Sequence, residues 1–237
     1  MPSIKAVLFD FGGTLFDYAV LENAERECLA ELMRLARIDA ESSVVHKTYR
    51  EALGKVFSEY LPRRFYLHRD LFKDAMLEML QGLGAEANPD YFDWYRERQW
   101  SLHKRDFKLR DDVIETLKSL RDKNLHLGIV SNIDEDQLAY LLEISNIESY
   151  FDSILSSEKT RSCKPDPGIF NHALRRAACR AEEVLFVGDT PLQDITGANQ
   201  AGMNSVLIWP SEDRDPPEVA PPPDYVIREI RDLINLV

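Results

Sequence analysis

The sequence predicts an α/β fold, a Rossmann-like and mainly parallel sheet core into which an all-helical cap domain is inserted. Three observations carry this reading. Short apolar runs recur at residues 4–9, 125–130, 154–155, 184–187 and 205–209. Amphipathic helical patterns lie between the later runs, and strands alternating with helices build parallel sheets. From residue 17 to residue 107 the alternation stops and only helical periodicity remains.

The first run, 4–9, is followed at once by Asp10, Gly12 and Gly13, which is how a buried parallel strand ending in a functional loop reads. After the insertion, Asp111 or Asp112 stands at the N-cap of a helix with Val113, Ile114, Leu117 and Leu120 on one face. A second helix starts at Pro167 and turns Ile169, Phe170, Ala173, Leu174 and Ala177 inward. A third runs from Pro191 to a stop at Gly202. The Pro-rich stretch 215–225 reads as an extended surface loop leading to a last helix near 227–236. Within the insertion, helical periodicity covers 21–36, 44–60, 71–83 and 91–102, with breakers near Pro62, Gly82 to Gly84 and Pro89. The expected division is a catalytic core of 1–16 and 108–237 around a cap of 17–107, a size ordinary for a small domain.

Composition narrows the function. The chain has 237 residues, 44% of them hydrophobic, and a formal charge of −12, which argues against nucleic acid as a partner because phosphate backbones attract basic faces. No apolar run is long enough to span a membrane, and the N-terminal run is too short for a signal peptide. Cys28, Cys163 and Cys179 show no metal-ligand spacing and read as reduced thiols of a cytoplasmic protein. Cys163 adjoins Lys164, a cation that would favour its thiolate.

Four distant segments carry polar residues at or near strand ends. Asp10 in FDFGGTL is a carboxylate placed to attack phosphorus, with Gly12 and Gly13 allowing close backbone approach and Thr14 able to donate a hydrogen bond. Ser131 and Asn132 end the second run in GIVSN. Lys164 in CKPDPGIF can neutralise developing phosphoryl charge. Asp189 and Asp194 in VGDTPLQD stand near a helix start, suited to capping it or to holding a hard cation such as Mg2+. Taken singly, each is an ordinary turn or cap; together they supply nucleophile, hydroxyl, ammonium and metal-binding acids.

In this order, FDFGGTL, GIVSN, KPDPGIF and VGDTPLQDITGANQAGM resemble the haloacid dehalogenase superfamily in its phosphatase-like branch. That resemblance implies a core whose first strand is central, a mobile helical cap inserted after the first motif, and neighbouring strands carrying Asp10 and Asp189 at the switch point. It further implies Asp10 as nucleophile and Mg2+ ligand, the Gly12 carbonyl and Asp189 as further ligands, and Asp194 as support for the metal. Ser131, Asn132 and Lys164, with Gly13 and Thr14, would bind the phosphate of a small phosphorylated substrate. The protein would act as a monomer or homodimer.

One position departs from the pattern. Family phosphatases typically carry a second aspartate where Gly12 stands, an acid–base group worth about 10²–10⁴ in rate. Asp17, Glu22 and Glu25 are the candidates to replace it by proximity to the first loop. Chemistry without that acid gives the alternatives: a dehalogenase, a phosphonatase using Lys47, Lys55 or Lys73, or an impaired relative that only binds its ligand. Two basic stretches of the cap, Arg63 to Arg69 and Arg96 to Arg105, could hold an anionic substrate tail or pair with the many glutamates, and Tyr18 could touch substrate or pack.

Overall fold

A computed structural model describes residues 3–86, 88, 90–211 and 214–237. The breaker at Pro89 lies outside the described residues. The chain divides into two compact units, Met1–Asp17 with Leu109–Val237, and Tyr18–Lys108.

The first unit is built on a parallel sheet: β1 (Ala6–Phe9), β2 (His126–Ser131), β3 (Ser153–Ser156), β4 (Val184–Gly188), β5 (Asn204–Ile208) and β6 (Tyr225–Ile227). Their order is β3-β2-β1-β4-β5-β6, with every pairing parallel. All four residues of β1 and all five of β4 are buried, which explains why both read as unbroken apolar runs rather than alternating ones. The chain winds outward from β1 to β3 in one direction and from β4 to β6 in the other. The reversal falls between β1 and β4, where open α/β sheets form a crevice beyond the strand ends.

Among the described residues the second unit holds four α-helices, α1 (Glu22–Leu35), α2 (Ser42–Tyr60), α3 (His68–Gly82) and α4 (Asp90–Asp106). α2 packs on α3 and α1 on α4. Its core joins Cys28, Leu32, Tyr49, Met76, Met79, Phe92 and Tyr95. In the second basic stretch Arg98 and Arg105 pair with Glu27 and Glu31 on the outside. In the first stretch the Arg63 guanidinium lies 3.7 Å from the centre of the Tyr60 ring.

The sheet unit adds α5 (Val113–Asp122), α6 (Glu135–Ser145), α7 (Ser157–Thr160), α8 (Pro167–Ala177) and α9 (Gly197–Gln200). α8 starts as the sequence predicts: Asp166 caps it by accepting from Gly168 N at 2.9 Å, and Pro167 takes the first turn. The stretch from Pro191 begins as a π-helical turn, Pro191–Thr196, before α9.

Two expectations are corrected. Asp112 occupies the N-cap of α5, but its carboxylate makes no capping bond; it accepts from Arg231 N at 2.8 Å and so anchors the C-terminal segment. The end of the chain is not one helix: Tyr225–Ile227 forms the edge strand β6, and Ile230–Asn235 is a 3-10 turn. Residues 215–224 do lack helix and strand, as a Pro-rich connector should.

Candidate active site

The sheet register brings the four motifs to one edge. Phe9 pairs with Ile129 on one side and with Val187 on the other, so Asp10 leaves β1 level with the last residue of β4. The Asp10 N–H donates to Val187 O at 2.8 Å, extending the ladder by one rung. β4 ends at Gly188, Asp189 follows, and β2 ends at the buried Ser131. Asp10 and Asp189 therefore flank the β1/β4 switch point.

Lys164 arrives from the loop before α8 and is 2% exposed. Its ammonium lies 2.7 Å from Asp10 Oδ1 and 2.6 Å from Asp194 Oδ1. The loop is held from below: Lys164 N donates to Asn132 Oδ1 at 2.7 Å, and Asn132 Nδ2 donates to Lys164 O at 3.0 Å and to Gln193 Oε1 at 3.1 Å. One Asn132 amide hydrogen thus helps to place Lys164, and the other ties the same side chain to Gln193. Asp194 is fixed by Thr190 N, which donates to its Oδ2 at 2.9 Å, at the start of the π-helical turn.

One carboxylate oxygen from each of Asp10, Asp189 and Asp194 lies within 4.8 Å of the other two. Glycine makes this crowding possible. Gly13 has φ +77°, and a Cβ there would overlap the Asp189 carboxylate; a Cβ on Gly188 would overlap Asp194. The space a side chain would need at Gly13 is thus filled by an acid of the site itself.

Three acids face one ammonium, and the electrostatics show the imbalance. Burial, then the charges of Asp10 and Asp194, push Asp189 up to about 8. Burial also pushes Asp194 up to about 6, against the pull of Lys164. Burial by itself would lower the Lys164 ammonium, but the two carboxylates beside it prevail and hold it above the usual lysine range. Asp10 Oδ1 (despite its ion pair), Asp189 Oδ1 and Thr14 Oγ1 are buried without a hydrogen-bond partner. Hard oxygen donors with unused lone pairs and excess negative charge suit a small divalent cation.

Other predicted residues fall elsewhere. Asp17 is half exposed and lies 3.7 Å from Arg110 Nη1, while Glu22 pairs with Arg26 and Glu25 with His46 in the helical unit. Lys47 and Lys55 pair with Glu51 and Glu78. All three cysteines are free; Cys163 is buried, and burial pushes the Cys28 thiol up to about 12. Two residues at the site carry no sequence signal: Gln193, which meets Asn132, and Arg110, whose guanidinium donates to Gly13 O at 2.6 Å and Thr14 O at 3.0 Å.

The profile of the haloacid dehalogenase-like hydrolase family matches residues 7–208. The chain belongs to that family. Among its relatives, a glyceraldehyde 3-phosphate phosphatase of Methanopyrus kandleri is 33% identical, over 99% of this chain and 97% of its own. A ribulose-1,5-bisphosphate 5-phosphatase of Halopiger xanaduensis is 29% identical, over 91% and 89%. Among solved structures, the HAD-hydrolase YfnB of Bacillus subtilis bound to magnesium superposes with a TM-score of 0.81 at 22% identity, covering 99% of this chain and 98% of that one. The fold is thus shared across the whole length, and this chain is a phosphatase-like hydrolase of the family.

Proposed function

We propose that this hydrolase cleaves small phosphorylated metabolites through an aspartyl-phosphate formed on Asp10. The observation that carries the reading is the buried Lys164 ammonium shared between Asp10 and Asp194, with Asp189 within 4.8 Å of both acids. The phosphatase relatives support the substrate class.

In this reading an Asp10 oxygen attacks phosphorus, the P–O bond to the leaving group breaks, and the leaving oxygen departs with the bonding pair. Lys164, with Ser131, Gly13 and Thr14 along the same strand ends, binds the phosphoryl oxygens and stabilises charge that grows on them. Water then attacks the acyl-phosphate, releasing inorganic phosphate and restoring the carboxylate. Asp10, Asp189 and the Gly12 carbonyl, supported by Asp194, would hold Mg2+, which when bound neutralises the phosphate and the excess acid. With Gly12 in place of a proton donor, substrates whose leaving group needs no proton are favoured. Tyr18–Lys108 is the cap in this scheme.

The test is hydrolysis of acetyl phosphate and para-nitrophenyl phosphate with and without Mg2+. Metal-dependent turnover, lost by about 10⁴-fold or more in Asp10→Asn, is the expected result. Phosphate binding without turnover would reduce the protein to a ligand-binding relative, and metal-free halide release from a 2-haloacid would make it a dehalogenase. Gly12→Asp should raise hydrolysis of unactivated alkyl phosphates by about 10²-fold or more; no gain in a folded variant means that another group moves the proton.

A further inference from the structure

Arg110 lies at the return of the chain into the sheet unit, in a segment without a motif, yet it makes more bonds to the first loop than any residue named above. Its Nη2 donates to Gly13 O at 2.6 Å, its Nε to Thr14 O at 3.0 Å, and its main-chain N–H to Leu15 O at 3.0 Å. Three consecutive carbonyls thus converge on one residue from nearly a hundred positions away. The loop is closed on itself by Leu15 N donating to Phe11 O at 2.9 Å. The Arg110 side chain is largely buried, and Asp17, where the chain leaves this unit, lies 3.7 Å from its Nη1.

We infer that Arg110 is a positioning residue, whose guanidinium sets the Gly13–Thr14 peptide and through it the donors and the Asp189 seat of the phosphoryl-transfer loop. The inference rests on the reading of Asp10 as the nucleophile of that loop. A trans peptide is planar, with its C=O and N–H opposed. Drawing Gly13 O and Thr14 O toward the guanidinium turns the N–H groups of Thr14 and Leu15 the other way. The Leu15 N–H is used by Phe11 O; the Thr14 N–H is left facing away from Arg110, on the residue whose buried hydroxyl has no partner. Gly13, whose carbonyl takes one of these bonds, stands at φ +77°, the backbone position with room for the Asp189 carboxylate and for no Cβ. A planar fork donates two bonds at a fixed angle, which an ammonium cannot.

The experiment compares Arg110→Met, Arg110→Lys and Arg110→Ala with Arg121→Met, which removes an exposed guanidinium bound to Asp152. Turnover of para-nitrophenyl phosphate with Mg2+ is measured beside amide hydrogen exchange of residues 11–16. Displacements near 1 Å cost about 10² in rate, so Arg110→Met should lose about 10- to 100-fold in kcat with KM changed less than about threefold. Exchange should quicken in 11–16 and nowhere else, Arg110→Lys should lie between Met and wild type, and added methylguanidinium should restore several-fold activity to Arg110→Ala alone. Arg121→Met should match wild type in both readouts. Wild-type loop protection or wild-type kcat in Arg110→Met overturns the inference, as does a loss that follows protection across the whole unit. Should wild type hydrolyse no phosphate ester, the functional reading falls by itself. Exchange then decides on Arg110: quickening confined to 11–16 sustains it, and unchanged protection removes it.

Discussion

In the sheet unit Lys164, Asp10 and Asp194 meet with side chains 1–10% exposed, whereas in the helical unit Arg98 and Arg105 meet Glu27 and Glu31 at 29–52%. The same chemistry has opposite meaning in the two places. Solvated pairs lose little when they form or break, because water and salt screen them. Buried charges are dehydrated at a cost of several kcal/mol each, which their mutual attraction repays only in part. A fold that buries two acids and one ammonium beside a third, half-buried acid, with two of the three acids pushed well above the usual carboxylate range, is using them for something other than cohesion. The described core of the helical unit is apolar or neutral, and its Arg98 and Arg105 pairs lie toward the surface.

Four measurements sharpen or break this contrast. The largest effect is expected from Lys164→Met without metal, which strands Asp10 and Asp194 and should cost about 3–5 kcal/mol in urea denaturation. Wild-type stability there would mean that the acids are not dehydrated. Next, Mg2+ at about a hundred times its Kd should stabilise wild type by about 2.7 kcal/mol and Asp189→Asn far less, read as a thermal shift; equal shifts would place the ion elsewhere.

His103 gives the third test, inside the helical unit. It is buried there, and desolvation pushes its imidazole down to about 4. The unfolded imidazole binds a proton below about 6.5 and the folded one only near 4. Stability is therefore complete above that upper value and falls as pH drops toward the lower one. The slope approaches 1.4 kcal/mol per pH unit, giving a loss of about 2 kcal/mol between pH 7.5 and 5. His103→Leu should flatten that profile, and an unchanged slope would show that the proton is taken up elsewhere. The smallest effect belongs to Arg98→Met, whose denaturation midpoint should not move measurably; a loss like that of Lys164→Met would erase the distinction between the two units.

Much of this arrangement was legible in the sequence because the site sits where strands stop. An apolar run that breaks into Asp-x-Gly-Gly or Gly-Asp announces both the end of a buried strand and the residue exposed at its tip, so Asp10, Ser131 and Asp189 could be read directly. Lys164 was legible only through its motif, since a lysine in a polar loop ordinarily reaches water and this one is buried. What stayed hidden is tertiary. Asp112 looks like a cap because its local spacing fits, but Arg231, far along the chain, claims its carboxylate. The bonds of Asn132 to the Lys164 backbone and to Gln193 have no signature in the local sequence. β6 has three residues behind a Pro-rich connector, too few to set a period against a helix. Arg110 bonds main-chain carbonyls, which leave no trace in residue type.

The central place of β1 has a consequence for how the protein is made. β1 leaves the ribosome before the strands it pairs with: Val7 pairs with Leu127 and Leu185, and the whole helical unit is translated before either partner exists. Until then the segment Ala6–Phe9 is an apolar strand with two open edges. The nascent chain must shelter it, by chaperone or by transient collapse, while the inserted helices pack on their own. Synthesis slowed between residue 108 and residue 184 would prolong that exposure and increase the fraction lost to aggregation.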